Sequence, residues 1–162
     1  MLTISIENPR SYEAIELLHK SCAYIHHLYP EDSEHTFKLD LLASIRARFV
    51  IARNRNNEAI GCGAFEHRGN NEVELKHIYI NEKARGLGCG KALVKYLEQL
   101  AFQENITRIV LETGPKQPAA LGLYRSMGYQ ECEPYLVDYP IHAIFMHRLA
   151  PVSDYLEQNI NY

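Results

Sequence analysis

Val73-Glu74-Leu75-Lys76-His77-Ile78-Tyr79-Ile80, then Arg85-Gly86-Leu87-Gly88-Cys89-Gly90-Lys91, then Ala92-Leu93-Val94-Lys95-Tyr96-Leu97-Glu98-Gln99-Leu100, is the stretch on which the reading of this chain turns. The first block is β-branched and aromatic enough to form a strand. In the last, Ala92, Leu93, Leu97 and Leu100 recur at helical spacing, with Lys91, Lys95, Glu98 and Gln99 on the polar side. A strand, a glycine turn and a helix start together make an anion site, because first-turn N–H groups are unpaired and carry a partial positive charge. Without a Cβ, the glycines let the backbone touch a phosphate oxygen and adopt positive φ. The expected ligand therefore carries phosphates.

Spacing narrows the choice of turn. A Walker A loop needs glycine where this chain has Arg85, and serine or threonine where it has Ala92. A dinucleotide fingerprint starting at Gly86 needs glycine at Lys91, and one starting at Gly61 needs it at Glu66. What fits is Arg85-x-x-Gly88-x-Gly90. The same letters also suit a strand-to-helix turn that binds nothing, so the rest of the chain has to decide.

With 162 residues, 46% of them hydrophobic, the chain is long enough for one globular domain with a single core. A net charge of -3 supplies no basic field for nucleic acid. Cys22, Cys62, Cys89 and Cys132 are scattered with no Cys-x-x-Cys pair, which favours free thiols in a reducing compartment. Neither a signal peptide nor a run of about 18 apolar residues is present. The expectation is a soluble, cytoplasmic protein with no membrane or nucleic-acid partner. His26-His27 with His35 is the nearest approach to a metal set, but adjacent histidines on a helix diverge, so no metal is expected.

Taken in order, Leu2 to Ile6 reads as a strand, Ser11 as the cap of a helix from Tyr12 through Leu28, and Phe37 to Ile45 as a second helix after an acidic connection, Glu31 to His35. Arg48 to Arg53 and Ala59 to Glu66 read as a hairpin around Asn54-Arg55-Asn56-Asn57. Gly61 and Gly63 mark either a close approach of a neighbouring element or a bulge. After the glycine turn and its helix come a buried strand from Arg108 to Glu112, a helix opened by Gln117-Pro118 and stopped at Gly128, and strands at Tyr129 to Cys132 and Ala143 to Leu149. The tail from Ala150 to Tyr162 has either a short helix around Tyr155 and Leu156 or no fixed structure.

Arg85-x-x-Gly88-x-Gly90 resembles the acetyl-CoA pyrophosphate loop of the GNAT superfamily of N-acyltransferases. Gln117-x-x-Ala120-x-x-Leu123-Tyr124-x-x-Met127-Gly128-Tyr129 resembles that family's Asn-x-x-Ala-x-x-Leu-Tyr-x-x-x-Gly-Phe segment at the same distance beyond the loop, with Gln117 in place of the commoner asparagine. The runs Leu111-Glu112-Thr113-Gly114, Gln117-Pro118, Leu123-Tyr124-Arg125 and Gly128-Tyr129 are most similar to the bacterial Hpa2-type or YsnE-like branch. The resemblance covers Leu2 to Leu149. It implies an α+β (α/β layered) GNAT acyl-CoA N-acyltransferase fold: a mixed sheet of about six or seven strands flanked by about four helices, with splayed central parallel strands. Residues 1–149 would form one domain and 150–162 a tail.

The resemblance also implies residue roles. Acetyl-CoA is the expected cosubstrate, its pyrophosphate held by the amides of Gly86, Leu87, Gly88, Cys89, Gly90 and Lys91, with charge from Arg85 and Lys91. Ile78, Tyr79 and Ile80 would pair with pantetheine, the Ile78 N–H serving as oxyanion donor, and Gln117 and Ala120 would complete the cofactor site. An ammonium must lose a proton before it attacks, and Glu74 matches the family's base; it could equally be a surface carboxylate paired with Lys76. Strand alternation puts Glu74 on the face of Ile78 unless a bulge intervenes. His77 is the reserve base, and a buried structural histidine is its alternative. Tyr124 matches a tyrosine that protonates the departing thiolate, against a core tyrosine with a satisfied hydroxyl. No cysteine has a base partner, so attack would be direct. Acceptor walls would come from His26 to Asp40 and Tyr135 to His142. These include Tyr29, Glu31, His35, Tyr135 and Tyr139, a set suited to a cationic or aromatic amine. The expected function is N-acetyl transfer to a primary amine of a small molecule or peptide, by a monomer or homodimer. The alternatives are a non-catalytic acyl-CoA-binding or regulatory module of the same fold, and a phosphate-binding module of another fold.

Overall fold

The chain enters as β1 (Thr3–Ile6) and turns at Pro9 into α1 (Tyr12–Leu28), whose first turn is capped by Ser11: its Oγ accepts from the Ala14 N–H at 3.2 Å. After α2 (Leu39–Leu42) come β2 (Ala47–Arg53), β3 (Ala59–Gly69) and β4 (Glu72–Ile80). A 3-10 turn (Glu82–Ala84) leads into α3 (Cys89–Gln103), followed by β5 (Arg108–Thr113), α4 (Pro118–Ser126), β6 (Gln130–Glu131) and β7 (Ile144–Leu149). The computed structural model describes residues 1–32 and 35–151. Ser33 and Glu34 of the acidic connection, and the expected helix around Tyr155 and Leu156, lie outside the described residues.

The hydrogen-bonded order of the seven strands is β1-β2-β3-β4-β5-β7-β6. Pairs β1–β2, β2–β3, β5–β7 and β6–β7 are antiparallel and β4–β5 is parallel, so the sheet is mixed, as the resemblance implied. By its internal contacts the chain divides into two compact units. One is Met1–Glu66 with Leu75–Leu97, and the other is His67–Glu74 with the described part of Glu98–Tyr162.

In the first unit, the apolar stripe of α1 (Ala14, Leu17, Leu18) packs with Leu42 and with Phe49, Ile51, Cys62 and Ala64 of β2 and β3. Phe37, Ala59 and Tyr79 lie against this cluster. The second helix is one turn, shorter than the expected Phe37–Ile45. Lys38 is extended, and Ser44 spends its hydroxyl on the Leu41 carbonyl at 2.6 Å while accepting from the Arg46 N–H, a local alternative to helical bonding. Ile45 is consequently left 90% exposed.

Both β3 glycines lie at a close approach of β4, and at Gly61 that approach is of main chain. A Cβ on Gly61 would lie 2.7 Å from the Tyr79 carbonyl oxygen and 2.6 Å from Ile80 Cδ1, and one on Gly63 would lie 2.7 Å from Ile78 Cδ1. The Tyr79 contact is with main chain, which cannot rotate away. Farther back in β4, His77 has φ +58 inside a strand. Regular alternation is interrupted there, as it is at a bulge. Its carbonyl accepts from Cys62 Sγ at 3.4 Å and its ring lies edge-on to Phe37.

In the second unit, β4 and β5 run parallel through Glu72↔Arg108, Val73↔Ile109 and Glu74↔Val110. Ile109, Val110 and Leu111 are all buried, which explains the unalternating run. The α4 helix starts on Pro118 and stops in a Schellman motif: the Gly128 N–H bonds the Arg125 carbonyl, the Tyr129 N–H bonds the Tyr124 carbonyl, and Gly128 has φ +92. Glu98, expected on the polar side of its helix, is instead 3% exposed. Tyr129 donates to it at 3.0 Å and Arg148 at 2.6 Å, and that pairing is what makes burial of the charge tolerable.

Two outcomes are expected. Gly61→Ala destabilises the protein by about 1–3 kcal/mol through overpacking against the Tyr79 carbonyl; a urea midpoint equal to that of the unsubstituted protein contradicts this. His77 titrates at about 4, because burial excludes the charged ring and Lys76 adds repulsion, whereas the unfolded chain protonates it near 6.5. Above 6.5 the ring is neutral in both states. As pH falls from about 6.5 to 4 only the unfolded chain takes the proton, and stability drops by about 1.4 kcal/mol per unit. His77→Asn, which tolerates left-handed backbone, loses stability less steeply between pH 6.5 and 4.5 in urea unfolding; equal slopes contradict the assignment.

Candidate active site

The glycine turn grows directly from the end of β4. Arg85 closes the 3-10 turn, and its Nε donates to the Ile80 carbonyl at 2.9 Å. The guanidinium lies 4.6 Å from the ring centroid of Tyr24 on α1 and 5.6 Å from that of Tyr79. The arginine expected to add charge near phosphate is therefore also a strut that ties the turn to β4 and α1. Gly86 and Gly88 have φ of +78 and +82, conformations other residues adopt at a cost. No atom lies within 4 Å of a Cβ built on either one. Both glycines thus border open space. Leu87 is exposed at the tip of the turn, while Cys89 is buried as the first residue of α3.

The helix begins where the Ala92 N–H meets the Gly88 carbonyl at 3.1 Å. The amides of Cys89, Gly90 and Lys91 come before that bond and belong to the first turn, where donors lack helical acceptors. Open space over left-handed glycines, first-turn amides and an arginine at the rim suit a pyrophosphate. Of the residues expected along pantetheine, Ile78, Tyr79 and Ile80 form the half-buried end of β4. His77, at a pKa of about 4, is neutral and packed on Phe37, which favours its structural alternative over a reserve base.

In the second unit, Glu74 is only 8% exposed, and its Oε2 accepts from the Tyr135 hydroxyl at 2.6 Å. Lys76, the partner considered from sequence, pairs instead with Glu66 at 3.7 Å. Burial first, and then the Glu74 charge, push the Tyr135 phenol pKa upward, so it remains a donor. Tyr124 is buried on α4, edge-on to Tyr129, and burial pushes its pKa up to about 12. At neutral pH it holds its proton. Gln117 sits at the N-terminal boundary of α4 with its side chain uncommitted to capping, and Ala120 is half-buried on that helix. Thr113 Oγ1, at the end of β5, is buried without a hydrogen-bond partner, an orphan of the kind a ligand amide satisfies.

The residues expected to line an acceptor pocket divide. Tyr29 is buried beneath the end of α1, and His35 Nε2 lies 3.4 Å from its carbonyl oxygen. Glu31 is exposed. Tyr139 is partly exposed, edge-on to Phe145, which also packs Tyr135. Spacing gave no sign of Tyr24 behind Arg85 or of Arg68 behind Tyr135, since each contact joins segments far apart in the chain. Among the described residues, no cluster of three or more His, Cys, Asp or Glu could hold a metal ion, and no helix is long and apolar enough to cross a membrane.

The acetyltransferase (GNAT) family model matches residues 12–129. An IAA acetyltransferase of Azospirillum brasilense is 31% identical over 83% of this chain and 88% of its own length. Other curated N-acetyltransferases match over about half of their length or less. A Klebsiella pneumoniae crystal structure assigned as an acyl-CoA N-acyltransferase superposes with a TM-score of 0.77 at 29% identity, over 92% of this chain and 97% of that one. A Bacillus anthracis protein assigned as a streptothricin acetyltransferase, solved with acetyl coenzyme A, superposes with a TM-score of 0.60 at 26% identity, over 69% and 67%. Two glycine-bearing motifs, the strand order and these likenesses agree: the chain belongs to the GNAT family of acetyltransferases.

Proposed function

We propose that this protein is an acetyl-CoA-dependent N-acetyltransferase acting on a primary amine of a small molecule or peptide by direct attack, with residues 1–149 serving as one catalytic domain. The carrying observation is the Arg85–Lys91 turn, with two left-handed glycines beside open space at the start of α3, in a chain of this family. When bound, acetyl-CoA supplies the activated thioester. The amides of Gly86 to Lys91 hold its pyrophosphate, and Arg85 and Lys91 contribute positive charge. Ile78 to Ile80 and Gln117 orient its pantetheine. The left-handed His77 turns the following peptide out of the regular pleat, which supports assigning the Ile78 N–H to the thioester carbonyl oxygen and β4 to the splayed pair.

Glu74 takes the amine proton, directly or through a water, on the carboxylate oxygen that Tyr135 leaves unused. Tyr124, protonated at neutral pH, gives its hydroxyl proton to the departing sulfur. The acidic and aromatic side chains of two separate segments, Glu31 in 26–40 and Asp138 and Tyr139 in 135–142, favour a cationic or aromatic acceptor.

Thiol release from acetyl-CoA across a panel of primary amines tests the activity. Release with at least one amine is expected, and CoA binding with no release from any amine would indicate a non-catalytic module. Tyr124→Phe lowers turnover about a hundredfold and leaves the acetyl-CoA dissociation constant within about twofold. An unchanged turnover number removes Tyr124 from the mechanism.

A further inference from the structure

Glu74 and Tyr135 are 61 positions apart in sequence, yet they form a 2.6 Å contact that the family motifs do not announce. Among the described residues the Glu74 carboxylate has no other hydrogen bond and no ion pair, so Oε1 is unspent. Tyr135 itself is fixed at several points. Arg68 on β3 sits 4.5 Å from its ring centroid and donates to its backbone carbonyl at 3.1 Å. Phe145 on β7 meets the ring edge-on at 5.0 Å. Arg68 is itself tethered to Glu72 at 3.4 Å, and Glu72 in turn to Arg108. The phenol therefore reaches Glu74 from a seat built by β3 and β7, at the start of the Tyr135–His142 loop.

We infer that Tyr135 is a positioning residue for the reaction: its hydroxyl pins Oε2 of Glu74 and thereby presents Oε1 to the amine proton. This rests on the proposed role of Glu74 as base. A buried carboxylate free to rotate would offer either oxygen in many orientations, and effective proton transfer needs one of them held in place. Tyr135 remains a donor and does not itself accept the amine proton. Its hydroxyl is thus committed to Glu74 and withdrawn from the acceptor wall, so any contribution from this loop to acceptor recognition falls to other members such as Asp138 and Tyr139.

The test is a double-mutant cycle of Tyr135→Phe and Glu74→Gln, read twice. Tyr135→Phe keeps the ring against Arg68 and Phe145 and removes only the hydroxyl. In urea unfolding without cofactor, the two substitutions are non-additive, because each weakens the same contact. In steady-state kinetics Tyr135→Phe lowers kcat about tenfold, roughly the worth of one hydrogen bond to a charged group, and leaves the KM for acetyl-CoA unchanged. The double variant is no slower than Glu74→Gln alone. Coupling in unfolding combined with a wild-type kcat for Tyr135→Phe makes the contact structural and overturns the inference, with Glu74 still the base if Glu74→Gln is slow. Additive kinetic losses also overturn it, since Tyr135 would then act independently of Glu74. A fully active Glu74→Gln overturns the base assignment itself, and this inference falls with it.

Discussion

How the chain leaves Ile80 and enters α3 governs what the rest of the structure can do with an anionic ligand. Two positive-φ glycines make the bend possible, and one arginine secures it: Arg85 bonds the last carbonyl of β4 and stacks on Tyr24 and Tyr79. Those contacts depend in turn on where β4 lies. Gly61 lets the main chain just before the turn come within a distance that a side chain there would forbid, and Gly63 leaves room for the tip of Ile78. A phosphate-binding turn is costly to order for each ligand that arrives. In the turn proposed to bind phosphate, the ordering is built in by a main-chain hydrogen bond, two aromatic faces and the missing Cβ of Gly61.

Two buried carboxylates of the second unit illustrate how surroundings divide structure from chemistry. Both accept from a tyrosine hydroxyl, Glu98 from Tyr129 and Glu74 from Tyr135. Glu98 is also neutralised by Arg148 at 2.6 Å, a charge pair that ties α3 to β7. Glu74 has no cation in contact among the described residues, and a buried carboxylate kept without a counter-charge is a poor structural device. That contrast with Glu98 is what supports the proposed role of Glu74 as base.

Much of the fold is readable from the letters because it rests on local rules. Ser11 caps α1, Pro118 and Gly128 bracket α4, and the unalternating Ile109-Val110-Leu111 run announces a strand buried on both sides. Gly88, three positions after Arg85, locates the turn for the same reason, since its φ of +82 favours glycine, whereas Gly90 already lies in α3. Contacts between distant segments leave no such mark. Glu98 belongs to the polar side by period but meets Tyr129 and Arg148, whose arrival depends on tertiary structure. Lys76 reaches Glu66 across the hairpin in place of its near neighbour Glu74. Alternation along β4 fails at His77 because a left-handed residue interrupts it, and a histidine gives no hint of that in sequence.

The central claim, that main-chain amides after Arg85 grip a diphosphate, is tested most directly by calorimetric titration of CoA and of pantetheine into the protein and into a Gly88→Val variant. CoA should bind the unsubstituted protein far more tightly than pantetheine does, and Gly88→Val, which places a branched side chain where φ is +82 beside open space, should remove that difference. Equal affinities for the two ligands, or CoA binding untouched by the substitution, would contradict the account.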